Sequence, residues 1–264
     1  MPRVKVTKTG LRLIYLGIAA YLVFLFHALP ASFLTRYILP AVPAARAVSL
    51  QGVHGSIWQG QAADARIANF NLGKLQWELR SWGLLLGKLK LHLTFNQDNL
   101  NGNAYVSVGM GGSLSAEDVN LQFPAENLMP LLYGYPISIA GELRGNLKEV
   151  TIKRGRVLQA QGRIVWKNAA LRAPQNIEMG DYLITLEPVN LGSKVVIKDQ
   201  GQGPVETEIT IIARGTGDYR MNGWLKARDP GQQSITEALR LMGRPDNSGR
   251  YWVGYNGKLR DWNK

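Results

Sequence analysis

Apolar residues follow a continuous pattern near the start of this chain and an alternating pattern over the rest. The continuous segment runs from residue 13 to residue 26 and extends to Leu29, after which Pro30 ends it. As a single helix, residues 13–29 would be about 26 Å long, the lower limit for crossing a bilayer core. We therefore predict an N-terminal transmembrane helix over residues 13–30.

A basic leader, residues 1–12, precedes the apolar segment. It holds four cations and no acidic residue, namely Arg3, Lys5, Lys8 and Arg12. A buried core helix is not expected to follow such a leader, whereas these cations hold the N-terminus of a membrane helix in the cytoplasm. The chain beyond Pro30 is therefore predicted to be exported to the periplasm.

A cleavable signal peptide is the competing interpretation of the same segment. Cleavage requires small residues at the first and third positions before the cut. A cut after Ala31 would put Leu29 in the third position, and the better match at residues 45–47 lies far downstream. The pattern favours an uncleaved signal anchor in the inner membrane, crossing once.

Residues 31–47 are predicted as a juxtamembrane segment. Apolar residues between Phe33 and Leu39 have helical spacing, and Pro40 and Pro43 would end that helix. From Val48 onward the apolar residues recur at every second position, the spacing of a β-strand rather than of a helix.

Strict alternation of apolar and polar residues marks the predicted strands. Residues 74–80 and 88–95 alternate through Leu75, Trp77, Leu79, Leu89, Leu91, Leu93 and Phe95. This period places one set of side chains on a buried face, as in antiparallel sheets with a single covered face. The pattern recurs at residues 104–108, 137–143, 150–152, 162–166, 182–186, 195–197, 205–211 and 251–259. We predict a mainly β periplasmic domain over residues 48–264.

Turn and helix signals punctuate these strands. Turns are predicted at residues 101–102, 199–204 and 215–218. Ser234 and Glu237 form a predicted capping box for a short helix that ends at Met242 and is closed by Gly243. A second short helix is predicted over residues 124–132, broken by Pro130.

A weak internal repeat runs through the strands. Residues 112–121 and 162–171 share a Gly, an apolar residue two positions later, an Asp or Asn six positions later, and a Leu nine positions later. This spacing predicts successive meander units laid side by side.

Charge and composition restrict the choice of partner. The chain has 264 residues, 31 basic and 19 acidic, with no cysteine. Without the leader, 27 basic residues still face 19 acidic ones. No basic cluster accompanies a nucleic-acid recognition motif, so nucleic acid is not expected as a partner. We expect anionic lipid or an acidic protein partner instead.

The sequence contains no recognisable catalytic, metal-binding or cofactor-binding motif. His27, His54 and His92 have no partners at metal-ligand spacing, and residues 109–112 lack the Lys-Ser/Thr of a phosphate loop. Ser56 does not complete a nucleophile elbow. We therefore predict a protein that is not an enzyme and needs no cofactor.

Seven tryptophans are the remaining candidates for a function. Structural roles are predicted for Trp58, because it lies close to glycines, and for Trp77, because it lies in a strictly alternating segment. For Trp252 and Trp262, in the basic aromatic tail, a structural role and a partner or membrane contact remain open. The others are Trp82, Trp166 and Trp224.

Several motifs together resemble the type II secretion system protein N family. The most specific are Gly-Ser-Ile-Trp-x-Gly at residues 55–60 and Gly-Arg-Pro-Asp at residues 243–246. The other matching segments are residues 50–54, 75–79, 87–91, 162–171, 239–242, 247–250 and 255–259. The likeness covers nearly the whole chain, including the N-terminal anchor.

The resemblance implies an accessory inner-membrane component of the machine that exports folded proteins across the outer membrane. Its partners would be other inner-membrane subunits of that system, with membrane lipid possible. The family is also similar to AsmA-like proteins, which implies a large curved antiparallel sheet. An AsmA-like lipid-binding or lipid-transfer module is therefore the alternative function. The two hypotheses differ in whether the apolar residues of segments 74–80 and 88–95 are covered by another layer.

Overall fold

One antiparallel sheet contains all the long strands of the computed structural model. The structure describes residues 8–41, 45, 48–67, 70–80, 89–108, 113–132, 137–153, 156–173, 176–190 and 192–258. Within these ranges, thirteen strands each pair with their neighbours in the chain. They are β1 (Val48–Gly55), β2 (Gln59–Ile67), β3 (Phe70–Arg80), β4 (Leu89–Gln97), β5 (Leu100–Val108), β6 (Ser113–Pro124), β7 (Ser138–Lys153), β8 (Arg156–Ala173), β9 (Ile177–Val189), β10 (Gly192–Asp199), β11 (Val205–Arg214), β12 (Asp218–Ala227) and β13 (Tyr251–Lys258). The mainly β prediction is confirmed.

Helical segments are few and short apart from the first. Helix α1 is Lys8–His27, and a π-helical turn, Leu34–Ile38, runs into the brief α2, Leu39–Ala41. The predicted transmembrane segment falls largely on α1. Among the helices in the described ranges, none has the combined length and apolarity needed to cross a membrane.

Two further helices connect consecutive strands at the same end of the sheet's strands. A 3₁₀ helix, Ala125–Leu132, joins β6 to β7, which confirms a short helix there. Helix α3, Gln233–Arg240, lies between β12 and β13; it begins one residue before the predicted Ser234 and ends two residues before the predicted Met242. The predicted capping box is wrong, because the N-cap is Gln232 and Ser234 already lies inside the helix.

The sequence-predicted strand segments fall on nine of the thirteen strands. Strand β7 was predicted as two pieces, and the alternation did not mark β1, β2, β6 and β12, although the repeat at residues 112–121 falls on β6. The turn predicted at residues 101–102 is also wrong: both residues lie in β5, and the chain turns at Asp98–Asn99. Asp98 adopts a φ of 42°, the left-handed conformation that Asp tolerates in turns.

A continuous apolar row crosses the whole sheet from β1 to β13. Residues paired directly opposite each other in antiparallel strands point to the same face. The pairing links Val53, Ala62, Leu75, Phe95, Gly102, Leu121, Gly145, Ile164, Ile184, Ile197, Ile209, Gly223 and Val253. Ten of these residues are apolar and three are glycine, so we call this set the apolar row.

The residues next to them in each strand form a polar row on the opposite face. That row is His54, Gln61, Gln76, Thr94, Asn103, Asn120, Asn146, Arg163, Thr185, Val196, Thr210, Asn222 and Gly254. Side-chain amides hydrogen-bond along it: Asn146 Nδ2 donates to Asn120 Oδ1 (2.7 Å) and Asn120 Nδ2 donates to Asn103 Oδ1 (3.2 Å). Two different faces are thus held in register over thirteen strands.

Two β-bulges explain the weak internal repeat. Asp118 in β6 and Asn168 in β8 have φ angles of 48° and 49°, and each occupies the Asp/Asn position of the repeat. Register shifts lie opposite them in the neighbouring strand pairs. Asp and Asn tolerate this conformation better than most residues, so the repeat marks where extra residues bend the strands.

Three small hydrophobic clusters account for most of the buried side chains on the apolar face. The N-terminal cluster is Ala31, Ala62, Ala65, Leu75 and Trp77. The central cluster, under the 3₁₀ helix, is Ala125, Ile139 and Leu143, with Leu128 and Met129 against it. The C-terminal cluster, under α3, is Val205, Ala227, Ile235, Leu239 and Tyr251. Burial is therefore deepest where the chain before β1 or a connecting helix covers the sheet.

Trp77 is the largest side chain of the N-terminal cluster, and its replacement tests that core. The indole is 3% exposed, lies over Gly60, and donates from Nε1 to Ser56 O (3.2 Å). We expect Trp77→Ala to lower the free energy of unfolding by about 3–5 kcal/mol, because it leaves a cavity in a closed cluster. Urea denaturation of the purified chain, followed by circular dichroism, measures this.

The matched control is Gln76→Ala, in the same strand but exposed on the polar face. Its effect should stay within about 0.5 kcal/mol, as for surface substitutions generally. Equal effects of the two substitutions would contradict a closed core at this corner.

Candidate interaction surface

The joint between α1 and the sheet is built by the Gly-Ser-Ile-Trp-x-Gly motif. Ser56 Oγ accepts from the backbone N–H groups of Trp58 (3.2 Å) and Gln59 (3.1 Å), which shapes the turn between β1 and β2. Trp58 Nε1 donates to Phe26 O (3.1 Å), and its ring contacts those of Phe26 and His27 at centroid distances of 4.9 and 5.5 Å. The motif thus fixes the end of α1 to the first hairpin.

Backbone hydrogen bonds reinforce this joint. Ala31 N donates to Gly55 O (2.9 Å), and Ile57 N donates to Leu29 O (3.1 Å). Ala31 is only 1% exposed, since it packs into the N-terminal cluster. The segment after α1 therefore covers the β1–β3 corner of the apolar face.

The two functional hypotheses differ in whether the leucines of segments 74–80 and 88–95 and Trp77 are covered, and their burial varies along the strands. Leu75 and Trp77 are buried under Ala31, whereas Leu79, Leu91 and Leu93 are half-buried. The side chain of Leu89 lies outside the described residues. The residues that separate the two hypotheses therefore lie at a largely covered corner of the sheet.

The apolar row is open on strands β9 to β11. Ile184, Ile197 and Ile209 are half-buried and lie outside all three clusters. A parallel row beside them, Leu186, Val195 and Ile211, is also apolar and half-buried. Strands β9 to β11 thus present six aliphatic side chains that no described cluster covers.

The last strand ends the sheet with exposed aromatic residues. In the described ranges β13 pairs only with β12, so its other edge is free. Trp252 on the polar face is 59% exposed, and Tyr255 on the apolar face is 58% exposed. A free strand edge carries unpaired backbone groups that another strand can bind.

The Gly-Arg-Pro-Asp motif shapes the loop that leads into β13. Asp246 Oδ1 accepts from Ser248 Oγ (2.7 Å), Ser248 N (2.8 Å) and Arg250 N (3.0 Å), and its Oδ2 accepts from Trp252 Nε1 (2.8 Å). These hydrogen bonds, first those of the Ser248 hydroxyl and the Trp252 indole, lower the pKa of the Asp246 carboxyl well below its ordinary value. The carboxylate therefore orients Trp252 at the free edge.

The other tryptophans have structural partners or lie outside the description. Trp166 Nε1 donates to Ala140 O (3.0 Å), and the Arg250 guanidinium lies 4.1 Å from the ring centre of Trp224. Trp82 and Trp262 lie outside the described residues. Structural roles are thus supported for Trp58 and Trp77, while Trp252 has both a structural partner and an exposed ring.

The histidines do not come together with acids into a metal cluster. His54 and His92 line a shallow polar cavity of about 460 Å³ beside Glu78, whereas His27 stacks on Trp58. Across the part of the chain that the structure describes, no group of three or more His, Asp or Glu side chains could hold a metal ion.

Comparison with known proteins identifies the family. The family model described as "Type II secretion system (T2SS), protein N" matches residues 46–254. A type II secretion system protein N of Vibrio cholerae is 29% identical over 228 residues, covering 84% of this chain and 89% of its own length. The proteins of the same name from Aeromonas hydrophila and Klebsiella pneumoniae are 28% and 26% identical, covering 92% and 89% of this chain and 96% and 92% of their own lengths. No solved structure matches significantly. The chain belongs to the type II secretion system protein N family and is a non-enzymatic component of that system.

Proposed function

We propose that this secretion-system component is held at the inner membrane by α1 and acts by binding other subunits through the free edge of β13. The observation that carries the attachment is the exposure of apolar side chains around α1. They include Leu13, Ile14, Leu16, Ile18, Leu22, Phe24, Leu25 and Phe26, of which Phe24 is 71% exposed. A helix that is apolar on all sides needs an apolar environment, and lipid supplies one.

Attachment to a membrane would also fix the position of the sheet. The joint around Trp58 ties the end of α1 to the first hairpin, so β1 lies next to the membrane helix. Strand β13 is twelve strand spacings from β1, about 58 Å along the sheet at roughly 4.8 Å per strand. The free edge of β13 is thus available to subunits at a distance from the point of attachment.

The edge of β13 suits a partner that adds a strand. Backbone hydrogen bonds would supply affinity, and pockets beside exposed side chains would supply specificity. Trp252 and Tyr255 project on opposite faces of this strand, where an added strand can pack against both rings. Confinement to the membrane raises the effective concentration of the edge for neighbouring subunits.

The orientation of the chain is tested by chemical labelling. Because the chain has no native cysteine, single cysteines can be placed at Thr7 in the leader and at the exposed Asn247. In cells with a permeabilised outer membrane, an impermeant thiol reagent should label position 247 and not position 7, since the leader cations stay in the cytoplasm. Labelling at position 7 would contradict this orientation.

Photo-crosslinking tests the edge. We expect a photoreactive phenylalanine analogue at Tyr255 to crosslink to inner-membrane secretion subunits in cells that secrete by this system. The matched control is the same probe at Gln161. This residue is exposed but lies in β8, an inner strand that is paired on both sides. Deletion of the gene should cause folded exoproteins to accumulate in the periplasm.

Unchanged secretion together with no subunit crosslink at position 255 would overturn the proposed function. Equal crosslinking at positions 255 and 161 would show that the free edge is not the binding surface.

A further inference from the structure

We propose that the loop after α3 inserts into a cavity on a second copy of this chain, so that copies of the protein associate. The loop comprises residues 241–250, and the cavity lies at the ends of strands β3 to β6. From β5 to β13 there are eight strand spacings, about 38 Å along the sheet at roughly 4.8 Å per strand. Among the described residues, none of this loop lines the cavity of its own chain, so the contact joins different copies.

The loop presents an apolar tip. Leu241 is 89% exposed, more than any other large apolar side chain in the described ranges, and Met242 beside it is 50% exposed. Leu239, two residues earlier, is buried in the C-terminal cluster, so the apolar face of α3 points inward and Leu241 lies outside it. Because apolar surface is unfavourable in water, an apolar recess on a partner would stabilise this tip.

Hydrogen bonds hold the tip in one shape. Met242 N donates to Leu239 O (2.9 Å) and Gly243 N donates to Arg240 O (3.1 Å), which closes the end of α3. The carboxylate of Asp246 fixes the rest of the loop through the hydrogen bonds described above. A pre-ordered loop loses less conformational entropy on binding than a flexible one. The tip is therefore suited to insertion into a recess.

The cavity provides such a recess, with a volume of about 410 Å³. Its apolar lining comes from Phe70, Pro124 and the buried Leu100. The ring of Phe70 packs edge-on against that of Phe123, with 6.0 Å between the ring centres, and this contact fixes one wall. An engineered protein cavity of about 150 Å³ is large enough to bind benzene. The recess therefore has room for both apolar side chains of the tip.

Charges around the two surfaces have opposite signs. Arg240 and Arg244 flank the tip, whereas Asp98 and Glu126 line the cavity, and all four side chains are exposed. In the part of the chain that the structure describes, none of the four forms an ion pair. Complementary charges promote encounter and fix the orientation in which two surfaces meet. A second copy thus supplies a partner that matches the tip in both apolar lining and charge.

Attachment to a membrane would favour this contact. Copies held by α1 share an orientation and are confined to one plane, which raises the effective concentration of each surface for the other. This support rests on the proposed function, whereas the match between tip and cavity does not. Because the two surfaces differ, the contact is heterologous, and repeated copies would form a ring or an open chain.

Disulfide trapping between two differently tagged forms of the full chain tests the contact. One form carries Met242→Cys at the tip, and the other carries Asn99→Cys at the cavity. The two forms are coexpressed, oxidised in native membranes and separated on non-reducing gels, where we expect a disulfide-linked pair with both tags. In the matched control, Gln200→Cys replaces Asn99→Cys. Gln200 is exposed in the turn between β10 and β11, at the same end of the strands, and should give no such pair.

Charge reversal tests whether the trapped pair forms through the proposed surfaces. Arg244→Glu in the first form, or Glu126→Lys in the second, should lower the yield of the pair about tenfold, since like charges then meet across the contact. The two reversals together should restore the yield. Restoration distinguishes a contact between these surfaces from misfolding of a variant, and circular dichroism checks that each variant is β-structured.

Three results would overturn the proposal: no disulfide-linked pair in native membranes, equal pairing through position 200, or a loss of yield that the double reversal does not restore. Each would leave the labelling at position 247 and the crosslink at position 255 unchanged. Failure of the contact between copies is therefore distinguishable from failure of the proposed function.

Discussion

Each inner strand of this sheet must keep its register against two neighbours, because a slip of one residue would turn its apolar side chains to the polar face. The pairing meets this requirement twelve times in succession, which is why the apolar and polar rows both run unbroken from β1 to β13. Most connections between consecutive strands are short, which limits slippage, and the bulges at Asp118 and Asn168 allow the strands to bend without losing the faces. The binding surfaces proposed for the molecule lie at the outer edge of β13 and at the ends of the strands.

A single sheet of this kind leaves part of one face and the outer edge of β13 open. The chain covers part of its apolar face with Ala31, the 3₁₀ helix and α3, and leaves the central residues of β9 to β11 outside these clusters. Large exposed apolar surfaces in monomers generally mark interaction sites. The arrangement gives two separate surfaces: an aliphatic face on β9 to β11 and an outer strand edge at β13.

Much of this fold could be predicted from the sequence, and the failures have physical causes. Alternation identified β3 and β4, since their large apolar residues stand out against charged neighbours. Strand β2 was missed because its inward positions are Gly60, Ala62 and Ala65, which carry little hydrophobic signal. In β6 the bulge at Asp118 interrupts the period of two, and α3 begins before Ser234, so a local capping pattern was misleading.

The candidate surfaces were less predictable because they depend on which residues face each other across strands. Ile184, Ile197 and Ile209 are unremarkable within their own segments, and only the pairing places them side by side. The motif at residues 55–60 was recognised from the family resemblance, but its role in holding α1 depends on the long-range contact between Trp58 and Phe26. Asp246 was part of a recognised motif, yet its hydrogen bond to Trp252 could be seen only in the structure.

Disulfide formation between introduced cysteine pairs tests the register most directly, because the chain has no cysteine of its own. Cysteines at Thr185 and Val196, paired across β9 and β10, should oxidise to a disulfide, since paired residues in antiparallel strands lie within the Cα separation that the bond requires. Cysteines at Thr185 and Ile197, one residue out of register and on opposite faces, should not. Efficient bonding of the second pair, with the first remaining reduced, would contradict the two-faced sheet.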